Sequence, residues 1–247
     1  MRTIHPLFVI LLLMLATPVR AEVLFQYLDN HQMELEGKEV TTKSWTADER
    51  EKVDRYFRIL VDIAPRLTAM IDEGHDLGPV SVVRAETAYW SIGFAKQTNR
   101  GETTYLILTD NFFKAYDIES ADIGYDGGNY SLWFFVHEAA HLAELRTTSV
   151  GEELPSRDLT GTIGRTIMTK IVRAKVALAR QGIDFKEYVF STDRSHVDVI
   201  RDLGLPTKYA LRTPNEALAE IVTATILAPQ YQPPEDVRRL VDVFYGN

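Results

Sequence analysis

The chain contains no cysteine. Disulfide staples are therefore excluded, and so is an anchor of the lipoprotein type, which needs an acylated cysteine. Positive charge is also short: 27 Lys and Arg stand against 35 Asp and Glu, a net charge of −8. Such a balance favours solubility and disfavours binding to nucleic acid or to an anionic membrane. No internal repeat and no low-complexity tract interrupts the 247 residues. The longest apolar run near the N-terminus, Leu7 to Ala16, is too short to span a bilayer comfortably. Arg2 precedes it, and Val19-Arg20-Ala21 follows with residues suited to the −3 and −1 positions of a cleavage site. Residues 1–21 therefore read as a cleavable signal peptide, which places the mature chain in the periplasm or outside the cell. No stable membrane insertion is expected after cleavage. Removing that segment leaves 25 basic and 35 acidic residues, a net charge of −10.

What is present is an ordinary globular composition, 45% hydrophobic and 25% charged, able to bury a sizeable core. Residues 22–45 show little periodicity and read as an extended N-terminal arm. Thr46 with Glu49 forms a capping box for a helix from Thr46 to Asp72, with Val53, Tyr56, Phe57, Leu60 and Ile63 on one stripe. Pro65 kinks or splits that helix. Short strands follow at Val80–Val83, Tyr89–Ala95 and Thr103–Leu108. The turn-forming run Gln97 to Gly101 pairs the last two as a hairpin. Helices are expected at Ser131–Arg146, Thr160–Gln181, Thr213–Leu227 and Glu235–Tyr245, with shorter turns at Phe185–Phe190 and Arg194–Leu203. The class is α+β: a small antiparallel sheet, then a mostly helical C-terminal half.

Histidine is scarce, six residues in all, yet two of them form His137-Glu138-Ala139-Ala140-His141. Positions i and i+4 of a helix share a face, so both rings can reach one ion. Zinc takes about four ligands in a tetrahedron and, where it is catalytic, leaves one place for water. Glu138, at the edge of that face, can take a proton from water activated there. The neighbours Trp133, Phe134, Phe135, Val136 and Leu142 would bury this helix, where uncompensated polar groups cost several kcal/mol.

A third ligand is needed. Gly and His are absent from positions 144 and 147, which hold Glu144 and Thr147, so the metzincin pattern is excluded. Glu216 and Glu220 are the only charged residues from Glu216 to Ala228 and again share a face. One suits zinc ligation and the other a bond to a ligand histidine. Glu216 is the favoured ligand, although Thr213-Pro214-Asn215-Glu216 is also a capping box that would leave Glu220 as ligand. Glu144 reads as facing solvent rather than supporting His141. Tyr209 suits an oxyanion donor, with His196 as its rival.

His137-Glu138-x-x-His141 followed by Glu216-x-x-Ala219-Glu220 resembles the gluzincins. The stretch Tyr209-Ala210-Leu211-Arg212-Thr213-Pro214-Asn215-Glu216 is most similar to the lethal-factor-like metallopeptidases, the group that includes the Pro-Pro endopeptidases. In that family a tyrosine lies seven residues before the ligand glutamate. The resemblance covers about 30 residues in two places. It implies a single zincin-like metallopeptidase domain over residues 46–247. It also implies Zn2+ on His137, His141 and Glu216, with Glu138 as general base and Tyr209 as oxyanion stabiliser or acid. Peptide or protein substrates are expected, their backbone laid along Tyr89–Ala95 or Thr103–Leu108 as an edge strand. A zinc-binding exported protein without turnover is the alternative. Nothing in the sequence indicates an oligomeric state.

Overall fold

The computed structural model describes residues 25–35, 38–73, 78–86, 93–97, 103–113, 130–149, 151–191 and 193–245. The signal-peptide segment, residues 89–92 of the second expected strand, residues 98–101 of the expected turn, and the loop Gly124–Asn129 lie outside them. No helix among the described residues is long and apolar enough to cross a membrane.

The fold is α+β, but the sheet is mixed rather than antiparallel. Its strands are β1 (Phe25–Leu28), β4 (Val80–Ala85), β6 (Thr104–Thr109) and β5 (Gly93–Gln97), in that spatial order. β1 runs parallel to β4, and β4 parallel to β6; only β5 and β6 pair antiparallel. The expectation failed because it omitted β1, which comes from the segment read as an arm. Two helices, α1 (Ala47–Ile63) and α2 (Pro65–Glu73), connect β1 to β4, and a helical crossover returns the chain parallel. The rest of the arm forms a small antiparallel pair, β2 (Met33–Leu35) with β3 (Lys38–Val40). β4 is buried along its whole length. Its Arg84 is compensated by Glu49 and Asp110 at 2.9 and 2.6 Å.

Local chemistry sets the helix ends. Thr46 and Glu49 make the expected capping box. Pro65 splits the helix: α1 ends at Ile63 and α2 begins on the proline, whose missing N–H costs nothing in a first turn. The later helices are α3 (Tyr130–Thr147), α4 (Thr162–Arg180), α5 (Phe185–Phe190), α6 (Val197–Arg201), α7 (Pro214–Leu227) and α8 (Glu235–Phe244). A 3-10 turn over Lys208–Leu211 precedes α7.

α3 is apolar nearly all round, and such a helix must be covered on every side. It lies between the sheet edge at β5 and the helices α2 and α7. Ala139, Ala140 and Ala143 on α3 share one core with Ala217, Leu218, Ala219 and Ile221 of α7, where the alanines take little room between the two helices. α4 contributes Ile163, Ile167, Ile171, Ala174 and Leu178 to the same core, and so fills the chain between His141 and Glu216 with packed structure. At the sheet edge a Cβ on Gly93 would lie 2.4 Å from the Ile107 carbonyl oxygen and 3.0 Å from the Phe134 ring. Only glycine lets β5 sit this close to α3.

Candidate metal centre between two helices

α3 and α7 bring five polar side chains, His137, Glu138, His141, Glu216 and Glu220, into an apolar interior. On α3, His137 and His141 are one turn apart, and their Nε2 atoms approach to 3.1 Å. From α7, the Glu216 carboxylate oxygen Oε2 lies 3.0 Å from Nε2 of His137 and 3.3 Å from Nε2 of His141. Three lone-pair donors thus form a triangle with sides of 3.0, 3.1 and 3.3 Å. Ligand bonds of about 2.0–2.2 Å put neighbouring donors of a tetrahedral zinc ion about 3.3 Å apart. The donor set, two imidazoles and a carboxylate, suits that ion, and the triangle matches one face of its tetrahedron.

Glu220, one turn further along α7, takes a different position. Its Oε1 accepts from Nδ1–H of His137 at 2.8 Å and from the Trp133 indole at 3.3 Å. Its other oxygen accepts from the Thr207 hydroxyl at 2.5 Å. A proton held on Nδ1 leaves Nε2 of His137 free to coordinate. Glu220→Gln would remove the negative charge that holds this orientation, without removing a ligand. Zinc affinity is expected to fall roughly 10–100-fold, measured by competition with a chromophoric chelator; an unchanged affinity would remove Glu220 from this role.

The cap and the carboxylate of Glu216 are separable. Thr213 Oγ1 accepts the Glu216 amide, which caps α7, while the Glu216 side chain turns to the histidines.

Glu138 is buried on the same helix, within 4.8 Å of the two histidines when one ligand atom of each is taken. The Ala95 amide of β5 donates to its carboxylate. Oε2 of Glu138 is buried and has no hydrogen-bond partner. Burial raises the pKa of Glu138 against the opposing charges of His141 and His137. An unpartnered buried carboxylate oxygen is costly unless something polar meets it there.

Burial alone would lower the pKa of His137, but hydrogen bonds to Glu216 and Glu220 outweigh it and raise the value to about 10. Burial would raise the Glu216 pKa; hydrogen bonds from His137 and His141 hold it far below the usual carboxylate range. Without a metal, the two groups form an ion pair.

The Tyr209 ring stands 5.8 Å from the His137 ring, and burial with the Glu216 charge raises its pKa. His196 lies elsewhere: it is exposed, with φ of 65° at the start of α6, and faces Asp193. Glu144 does not face solvent. It is buried and accepts the Ser156 amide at 2.7 Å. The loop after α3 folds back over this carboxylate, so Glu144 ties down the loop and makes no bond to His141. Three partners of the site have no role assigned from the sequence: Trp133, expected only to bury the helix, Thr207 and Arg212. Trp133 was accessible to reasoning, since it lies one turn before His137 on the same face. Thr207 and Arg212 carry no local signal.

Comparison with protein-family models, with curated proteins and with solved structures gives no match to this chain.

Proposed function

We propose that the chain is an exported zinc-dependent endopeptidase with a zincin-like catalytic domain, related in its site to the gluzincins. The observation that carries the reading is the donor triangle of His137, His141 and Glu216 beside the unpartnered buried oxygen of Glu138. When bound there, zinc supplies a Lewis acid that polarises the scissile carbonyl and lowers the pKa of water. Glu138 accepts the proton of the attacking water on its free oxygen. It passes that proton to the leaving amine as the C–N bond breaks. The Tyr209 phenol donates to the carbonyl oxygen as negative charge develops on it. β5 is the end strand of the sheet and lies against α3, so a substrate backbone can extend the sheet there. Among the described residues β6 lies inside the sheet and β5 at its end, which favours β5 of the two expected strands.

The test is metal analysis of the purified mature protein coupled to digestion of a peptide library. One zinc per chain and chelator-sensitive cleavage are expected. Zinc without cleavage would convert the reading to a metal-stabilised binding protein. No zinc, and no loss of stability with a chelator, would overturn both.

Proton release gives an independent readout. His137 holds an extra proton up to about pH 10 in the metal-free pair, and a ligating imidazole must be neutral at one nitrogen. Zinc binding at pH 8 is therefore expected to release about one proton or more per chain, with affinity rising about tenfold per pH unit. Calorimetry in buffers of different ionisation enthalpy measures it, and zero release would contradict the ligand set. For the metal-free chain, the raised His137 contributes stability that is complete below its ordinary 6.5 and lost as the pH climbs through about 10.

A further inference from the structure

We propose that Arg212 and Phe190 form a carboxylate-binding subsite beside the Tyr209 hydroxyl, which selects peptides carrying an acidic group close to the scissile bond. This rests on the peptidase reading of the metal centre. Arg212 lies at the outer end of a chain of contacts that begins at that centre. The His137 ring meets the Tyr209 ring, and Arg212 donates through Nη1 to the Tyr209 hydroxyl. The guanidinium is also 4.8 Å from the centre of the Tyr209 ring and 5.6 Å from that of Phe190.

A guanidinium has five N–H donors. Among the described residues Tyr209 is the one hydrogen-bond partner of the Arg212 guanidinium, and no carboxylate pairs with it. This occurs in a chain whose acids outnumber its bases, 35 to 27. Arg50 and Arg84, by contrast, are paired with carboxylates. Two aromatic faces hold the plane of the Arg212 fork and leave its remaining donors open, the arrangement that suits bidentate recognition of a carboxylate.

Phe190 is 72% exposed, an unusual cost for a phenyl ring that ends a helix. Its position is built rather than incidental. The buried ammonium of Lys208 donates to the carbonyls of Ser191 and Asp193 at 2.8 and 2.6 Å. The segment after Phe190 is thereby tied to the same 3-10 turn that carries Tyr209. Oxyanion donor, cation and exposed ring form one unit.

The carboxylate has two possible sources, a Glu or Asp side chain and the C-terminus of the peptide. A peptide cleaved in the library digest is resynthesised as matched pairs: Glu against Gln at each position near the scissile bond, and free acid against C-terminal amide. One acidic member is expected to exceed its neutral partner about tenfold in kcat/KM, mostly through KM. Its identity names the source. Arg212→Gln is expected to bring that ratio to near one, Arg212→Glu to invert it in favour of the neutral member, and Phe190→Ser to reduce it. The same pairs are titrated into the zinc-loaded Glu138→Gln variant, where binding reports on the subsite without turnover. Tighter binding of the acidic member, lost in Arg212→Gln, supports the proposal. Equal affinities overturn it, as does an Arg212→Gln variant that lowers kcat alike for both members with the ratio intact. Absence of chelator-sensitive cleavage would instead strike the peptidase reading; Glu/Gln and acid/amide pairs of uncleaved library peptides, titrated into the zinc-loaded chain and its Arg212→Gln variant, then decide the subsite.

Discussion

Glu138→Gln is expected to keep one zinc per chain while peptide hydrolysis falls by roughly 10²–10⁴-fold, the usual contribution of a general base. The substitution preserves volume. The new amide still offers a carbonyl oxygen to the Ala95 amide, so the contact between β5 and α3 survives. What disappears is a group able to accept a proton in the place now occupied by the unpartnered oxygen. Burial already raises the pKa of this carboxyl, which brings its basicity nearer to working pH than an exposed glutamate would have. Turnover is read by cleavage of the peptide identified in the library digest, and metal content by elemental analysis of the same sample. Hydrolysis that persists in a zinc-loaded variant would sink the assignment of Glu138.

Glu216→Ala should act one step earlier, on the metal itself. With the Oε2 corner of the triangle removed, two imidazole nitrogens remain. The expected loss of zinc affinity exceeds the roughly 10–100-fold expected at Glu220, because a ligand is lost rather than its orientation. Activity should vanish in step with occupancy. The fold should survive: α7 is capped by the Thr213 hydroxyl on the Glu216 backbone amide, which alanine retains. Far-ultraviolet circular dichroism checks the helices, and chelator competition checks the affinity. If Glu220→Ala instead lost zinc while Glu216→Ala kept it, the roles of the two carboxylates would be exchanged.

Much of the site was legible because it is local. A spacing of four residues on a helix puts His137 and His141 on one face whatever else the chain does, and the same holds for Glu216 and Glu220. The caps at Thr46 and Thr213 likewise depend on three or four neighbouring residues: the Thr46 box is complete, whereas at Thr213 only the threonine half forms, because the Glu216 carboxylate turns to the histidines. The apolar surroundings of the histidines predicted a buried helix, and α3 is buried.

Other features depend on contacts across the chain. Whether Glu216 or Glu220 meets both Nε2 atoms was undecidable along the sequence, since both lie on one face of α7. The register with which α7 packs on α3 decides it: Glu216 reaches the gap between the rings, and Glu220 falls against Nδ1 of His137 beside Trp133 and Thr207. The direction of β1 was equally hidden, because strand patterning carries no information about which distant strand a segment will join. Glu144 looked solvent-facing until the loop to Ser156 folded over it. Arg212 gave no signal, since its lack of a carboxylate partner among the described residues is a matter of its neighbours in space. Composition and short-range periodicity thus determined the chemistry available to this protein. Tertiary packing, which sets distances between residues some 75 to 83 positions apart, decided which atoms face one another.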